Sequence, residues 1–371
     1  MLGDRIRAAR MVKGLSLRAL AQQVGVSHQA IFKYETGKDI PSSQVILALA
    51  RALDVKPEFF FRPTRPMEIV PAFRKRSCLP AKAERSIIGQ IRESLERRLE
   101  LEELTGEPAR DDLSPFLKGM KQIESLEGVE AVAERLRDSW GLGIAPINNL
   151  VELLEDRGVR IQIVDEISPY FDACGFWVRT ERQETTPTGD PQVGSCRIPV
   201  IAIRKGVPGD RQRFSLAHEL GHLVFDDFST GNTSSRALES GRRLDIEAVS
   251  NRFAGAFIVP RAAVLQELGS KRRNVSIAEL YLLKHKYGLS IQAWLRRAQE
   301  LGIISKKTES RLFRQLSAAG YRKVEPGDAI PFEEPTKARR LALRAVAEGI
   351  ISRAKAAELL GVRLSEFMEE V

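Results

Sequence analysis

Cysteine is scarce in this chain: Cys78, Cys174 and Cys196 are three in 371 residues, an odd number at wide spacing. That pattern suits a reducing compartment better than a disulfide framework, so buried thiols and a cytoplasmic location are expected, with a Cys174–Cys196 pair as the alternative. No run of eighteen apolar residues exists, which leaves no candidate membrane-spanning helix. The opening Met1-Leu2-Gly3-Asp4-Arg5 lacks the apolar core of a signal peptide. Aromatic residues make up only 6%, and there are only four histidines. What the chain does have is charge, 29% of residues with a net +9 and a pI near 9.5, beside a 43% hydrophobic share. Such a balance is that of a globular protein with room for two or three cores. The basic excess is compatible with a nucleic-acid partner without establishing one.

Two of the four histidines fall in one stretch, Phe214-Ser215-Leu216-Ala217-His218-Glu219-Leu220-Gly221-His222-Leu223-Val224-Phe225. Positions four apart share one face of a helix, so His218 and His222 point the same way and can occupy two corners of a tetrahedral zinc site. Glu219 sits at the edge of that face, as a catalytic base would. Leu216, Ala217, Leu220, Leu223 and Val224 supply an apolar side, and Asp210 is a plausible N-cap. Gly221 costs roughly 1 kcal/mol against alanine within a helix, which suggests close packing near the metal. A third ligand is at hand on the next helical stretch, 245–257. Glu247 completes a His-His-Glu set with a fourth position open for water, the catalytic rather than the structural arrangement. Asn251, one turn on, can hold the tautomer of a ligating histidine. One zinc ion per chain is expected, with iron or manganese fitting the same donors.

Residues 1–62 read as a compact helical unit, with helices at 4–12, 17–24, 28–35 and 42–53. Ser16 and Ser27 cap the second and third, and Gly25-Val26 makes the turn between them. The run Leu20-Ala21-x-x-Val24-Gly25-Val26-Ser27-x-x-x-Ile31 is that of a helix-turn-helix, with Ala21 small where the helices cross and Val26 and Ile31 facing inward. Ten Lys and Arg against five Asp and Glu give this unit +5, over half of the net charge.

With Tyr34-Glu35-x-Gly37-Lys38 included, this unit resembles the Xre/Cro repressor family over its whole length. The resemblance implies that Ser27, His28, Gln29 and Lys33 lie on the DNA-facing side of the recognition helix. Gln29 is then suited to adenine and Lys33 to guanine or phosphate. Arg5, Arg10, Arg18 and Lys38 would touch the backbone. Double-stranded DNA carrying an inverted repeat, bound by a homodimer, is the partner this implies. Such domains also serve as protein-interaction modules.

Residues 63–80, with four prolines and Arg74-Lys75-Arg76, read as a linker, and 81–104 as a long charged helix with Ile87, Ile88, Ile91, Leu95, Leu99, Leu101 and Leu104 as its spine. Residues 107–117 read as a loop. Helices follow at 129–140 and 147–157, then strands at 159–164, 175–178 and 199–203, with the polar run 181–194 as a hairpin connection. A strand edge beside the cleft could hold an extended peptide. Helical patterns at 276–287 and 290–301, and again at 353–362, echo the helix-turn-helix in degenerate form. The expected fold is mainly α in several domains. An all-α helix-turn-helix bundle (1–62) leads through a linker and connecting helix (63–128) to an α+β zincin-like, gluzincin domain with a short sheet (129–305), and a helical C-terminal region follows (306–371).

The stretch His218-Glu219-Leu220-Gly221-His222, with Glu247-x-x-x-Asn251-x-Phe253-Ala254 through Val259-Pro260, makes residues 130–305 resemble the ImmA/IrrE family of metallo-endopeptidases. The whole arrangement resembles its form fused to an Xre-type domain. One departure is Ser250, where that family usually has alanine. The resemblance implies a transcriptional regulator whose zinc peptidase cleaves a repressor-type protein, itself or a partner, in stress response or mobile-element control. Tyr170, Tyr281, His285 and Tyr287 are the candidates for stabilising the oxyanion. The alternative is a non-proteolytic transcription factor whose zinc domain senses a ligand, metal or partner, and Glu219 argues against it.

Overall fold

The computed structural model describes residues 2–62, 65–69, 80–107, 110–120, 123, 125–165, 171–185, 191–227, 234–235, 238–239, 242–322 and 324–369. The linker segment 70–79 and Tyr170 therefore lie outside the described residues. The chain is mainly helical, with one four-stranded sheet at its middle. Among the described residues, no helix is long and apolar enough to cross a membrane.

Four helices open the chain: α1 (Leu2–Val12), α2 (Leu17–Val24), α3 (His28–Glu35) and α4 (Ser43–Leu53), followed by a 3-10 turn at Pro57–Phe61. Ser16, Ser27 and Ser42 each accept an N–H of the first turn on Oγ, from Ala19, Ala30 and Val45, each cap stabilising by about 1 kcal/mol. Gly25 ends α2 at φ +78°, the left-handed conformation that suits glycine. Ile6, Leu20, Ala21, Ile31, Leu49, Leu53 and Phe60 close the core of this bundle, with Val26 partly buried against it.

Strand β1 (Met67–Ile69) and helices α5 (Ala81–Leu104), α6 (Leu113–Lys118), α7 (Leu126–Ser139) and α8 (Leu150–Asp156) come next. They lead to β2 (Arg160–Val164), β3 (Ala173–Thr185) and β4 (Pro191–Arg204), then α9 (Gly209–Phe225) and α10 (Ile246–Ile258). The sheet order is β1-β3-β4-β2, with β2 parallel to β4 and the other pairs antiparallel. Period-2 alternation in β4 divides its side chains between two layers. Ile201 and Ile203 join a core with Leu216, Leu220 and Val224 of α9, whereas Val200 and Ala202 join Ile87, Ile91, Leu95 and Leu99 of α5. The sheet is thus covered on one face by the long charged helix and on the other by the motif helix.

The remaining helices are α11 (Arg261–Leu268), α12 (Ile277–Tyr287), α13 (Ile291–Glu300), α14 (Lys306–Ala318), α15 (Lys337–Ala347), α16 (Arg353–Leu360) and α17 (Leu364–Met368). The first helix-turn-helix echo is core-forming: Leu280, Leu283, Trp294 and Leu295 are buried in the large cluster. The second, Ala356, Ala357 and Leu359, packs with Leu341 on Leu101 at the end of α5.

Four sequence expectations are corrected. Part of the 63–80 linker is strand β1, because Met67 and Ile69 bury against the α5 face of the sheet. The 107–117 loop contains the start of α6, where Asp111 Oδ1 accepts from the N–H groups of Leu113 and Ser114 and Leu113 is buried. The polar run 181–194 is mostly strand, since pairing of β3 with β4 extends to Thr185 opposite Pro191. Asp210 is not the cap of α9: the helix begins at Gly209, and Asp210 is buried in an ion pair with Lys284 at 3.1 Å.

Candidate metal centre and recognition helix

His218 and His222 lie one turn apart on α9, and Glu247 comes from the first turn of α10, whose N-cap Asp245 accepts the Glu247 N–H. The two helices can approach because Gly221 has no side chain. A Cβ there would sit 3.1 Å from Ser250 Cα and 3.2 Å from a Phe253 ring carbon. The Nε2 atoms of the two histidines are 3.0 Å apart, and Glu247 carboxylate oxygens lie 3.3 Å from His218 Nε2 and 3.6 Å from His222 Nε2. Ligand atoms of all three residues fall within 4.8 Å of one another.

Each ring is held from behind. His218 Nδ1 is 3.0 Å from Asn251 Oδ1, and His222 Nδ1 is 3.1 Å from Ser250 Oγ. Protons on the two Nδ1 atoms leave both Nε2 lone pairs facing a common point beside a carboxylate, the donor set and tautomer that a divalent cation requires. Burial disfavours a charged His218, but the hydrogen bond it donates to Glu247, the charges of Glu219 and Glu247 and the bond to Asn251 outweigh it. Its pKa is raised above the ordinary value, so this pocket favours positive charge. These residues fit a metal ion.

Glu219 is aimed by the sheet. Its Oε2 accepts the Gly175 N–H of β3 at 2.7 Å, and a Cβ on Gly175 would come within 2.9 Å of the Glu219 backbone carbonyl. Sequence reasoning missed both Gly175 and Ser250. Ser250 was readable as a departure from the family's alanine, and its position three after Glu247 puts it on the ligand face. Gly175 carried no signal, because it meets Glu219 only through the fold.

Among the oxyanion candidates, the Tyr287 hydroxyl donates to Glu267 at 2.9 Å, and burial, reinforced by that carboxylate, pushes its pKa up to about 12. Tyr281 and His285 pack edge-on at 4.6 Å.

On the N-terminal bundle, Ser27, His28, Gln29, Lys33, Lys38 and Arg18 are exposed, with the Lys38 ammonium over the Phe32 ring at 5.9 Å. Arg10 and Arg5 are corrections. Arg10 is buried, paired with both carboxylate oxygens of Glu35 at 2.6 and 2.8 Å and donating to the Leu15 carbonyl. Arg5 is buried against Glu96 of α5 and the Arg62 carbonyl. Arg10 braces the bundle internally and Arg5 ties it to α5, and neither guanidinium faces outward.

Comparison with known proteins matches residues 6–60 to the helix-turn-helix family and residues 172–299 to the IrrE N-terminal-like domain family. The chain carries an Xre-like helix-turn-helix domain and an IrrE/ImmA-like peptidase-family domain. The helix-turn-helix domain is similar to Repressor protein C2 of Salmonella phage P22, 36% identical over 62 residues, which is 17% of this chain and 29% of that protein. It is also similar to an uncharacterized transcriptional regulator in the ATPase CF(0) region of Rhodospirillum rubrum, 38% identical over 60 residues, 16% of this chain and 56% of that protein. A prophage-derived regulator of Bacillus subtilis (strain 168) is 33% identical over 64 residues, 17% of this chain and 59% of that protein. The chain spans less than two thirds of the length of each of these relatives. The IrrE-like segment begins at β3 and ends within α13, so it contains His218, His222 and Glu247, while the α7, α8 and β2 that share its core precede it.

Proposed function

We propose that this chain is a DNA-binding transcriptional regulator carrying a zinc-dependent endopeptidase that cleaves a repressor-type protein, itself or a partner. The observation that carries the reading is the convergence of His218, His222 and Glu247 beside a Glu219 that a strand N–H orients. A zinc ion bound there would polarise a scissile carbonyl and make a water acidic. Asn251 and Ser250 hold the rings so that both Nε2 atoms stay unprotonated toward that point. Glu219 takes a proton from the attacking water and hands it to the leaving amine. The Gly175 N–H keeps the Glu219 carboxylate turned to the cleft while it does so.

The domain division at 62, 128 and 305 belongs to the same proposal, as does a homodimer reading an inverted repeat through Gln29 and Lys33. The test is incubation of the purified, zinc-loaded chain with a DNA-bound Xre-type repressor, with and without chelator. Glu219→Gln should retain about one zinc per chain and the DNA affinity of the wild type, while cleavage is lost. Undiminished zinc in His218→Ala would overturn the ligand assignment. A Glu219→Gln chain that induces its target promoter as well as wild type would make the domain a sensor.

A further inference from the structure

Strand β3 meets the metal centre at Gly175. The Gly175 N–H donates to Glu219, so it points away from β4, the partner on the other side of the strand. Backbone N–H groups alternate sides along a strand, which puts those of Trp177 and Arg179 on the same outer edge. Part of that edge is taken. Strand β1 lies on it antiparallel, with Met67 opposite Thr180, Glu68 opposite Arg179 and Ile69 opposite Val178. The Thr180 hydroxyl donates to the Pro66 carbonyl at 3.1 Å, the Arg92 guanidinium donates to the Met67 carbonyl at 2.9 Å, and Met67 is buried against the α5 face.

The direction of this pairing is informative. From Met67 to Ile69 the chain advances toward Gly175, and Ile69, the last described residue of β1, lies opposite Val178, three positions from Gly175 (178 − 175). At about 3.4 Å per residue that is about 10 Å from the strand position that orients Glu219. A polypeptide docked on Gly175 to Trp177 in the same sense would have its N-terminal side running into β1.

We propose that β1 of this same chain is an autoinhibitory strand, which keeps the far part of the outer edge of β3 shut against the extended polypeptide that such an edge can hold. The proposal rests on the endopeptidase reading for its consequence, but the docking itself does not depend on chemistry. Strand addition takes its affinity from main-chain hydrogen bonds, so the occupant is defined as an unfolded backbone more than as a sequence. A strand tethered in the same chain competes at an effective concentration in the millimolar range. A second polypeptide at micromolar concentration therefore docks in full only once β1 has left. The β1 strand follows the helix-turn-helix domain closely, and Arg5 ties that domain to α5 and to the Arg62 carbonyl. Displacement of the DNA-binding domain thus draws directly on the strand that shuts the edge.

The probe is β-casein, an unfolded protein, with the full-length chain. Glu68→Pro removes the N–H that faces Arg179, and Glu68→Ala keeps it. Zinc-loaded Glu68→Pro should cleave β-casein about tenfold faster than wild type, and Glu68→Ala within twofold of it. Amide exchange over residues 175–180 is read in the Glu219→Gln background, where nothing is cut. Exchange should quicken in Glu68→Pro and slow again across 175–180 on adding β-casein, while in Glu68→Ala β-casein changes nothing over 178–180. If β-casein fails to slow exchange once β1 is released, the docking strand is refuted. If it protects 175–180 equally with β1 in place, the shutting role is refuted. The expected exchange pattern with no cleavage by any variant supports the docking strand and overturns the endopeptidase reading instead. Thermal melting checks that Glu68→Pro is folded, and Ile69→Gly, which loosens β1 without removing an N–H, replaces it if it is not.

Discussion

Truncation of Ser250 to alanine tests the geometry behind the metal centre. Its hydroxyl is 3.1 Å from His222 Nδ1, the residue is 0% exposed, and the His222 side chain is 2% exposed. Water has no direct route to replace the lost oxygen. An Nδ1–H left without that acceptor costs about 1–3 kcal/mol, and the ring can then shift its proton to Nε2, where the metal belongs. At 1.4 kcal/mol per decade this amounts to a loss of about 5- to 150-fold in zinc affinity, in line with the 10- to 100-fold usual for such partners. Asn251 holds His218 from an exposed position, so water can substitute, and Asn251→Ala should weaken zinc by less than about tenfold. Both constants are read by competition with a chromophoric chelator, with melting curves to confirm the fold. If Asn251→Ala loses more zinc affinity than Ser250→Ala, the reasoning from burial is wrong.

Other outcomes follow from the buried charges. Arg297 is 1% exposed and paired bidentately with Glu130 at 2.6 and 3.0 Å, so Glu130→Ala should destabilise by about 3–5 kcal/mol and lower the melting temperature by about 10 °C. Arg10→Ala should lower the melting temperature while leaving the salt dependence of DNA affinity intact. Arg18→Ala should leave melting unchanged but reduce the slope of log affinity against log salt by about one, as read by fluorescence anisotropy. Burial raises the pKa of Glu102, but Arg160 and Arg98 outweigh it and hold the carboxyl below its ordinary value. Its folded pKa being depressed, its contribution is full above the unfolded pKa and is lost as pH falls through the folded one. Glu102→Gln should therefore flatten the acid limb of stability measured by urea unfolding between pH 5 and 3, a window set by the carboxylate reference of about 4.3.

Much of this protein was readable without coordinates, because local patterns carry their own physics. A serine before a short helix states where the chain starts to hydrogen-bond to itself, and Ser16 and Ser27 cap where they stand. The 81–104 helix was legible from its apolar spine, and His218 and His222 from the four-residue repeat that puts two imidazoles on one face. That Glu247 joins them was also legible, since the next helix offered a carboxylate and a tautomer-holding amide at helical spacing. The tertiary structure decided what depends on the meeting of distant segments. Arginines of one composition divide into buried struts, Arg5 and Arg10, and an exposed one, Arg18, according to which carboxylate the fold brings near. Asp210, in a helix-cap position by sequence, is drawn to Lys284 of a helix more than seventy residues away. The proline-bearing connection after residue 62 reads as linker because three residues are too few to show a period. It becomes a strand because the free edge of β3 supplies hydrogen bonds and the α5 layer supplies a surface for Met67. Gly175 and Ser250 gain their importance in the same way, as the points where a strand and a second helix come within hydrogen-bonding distance of the motif.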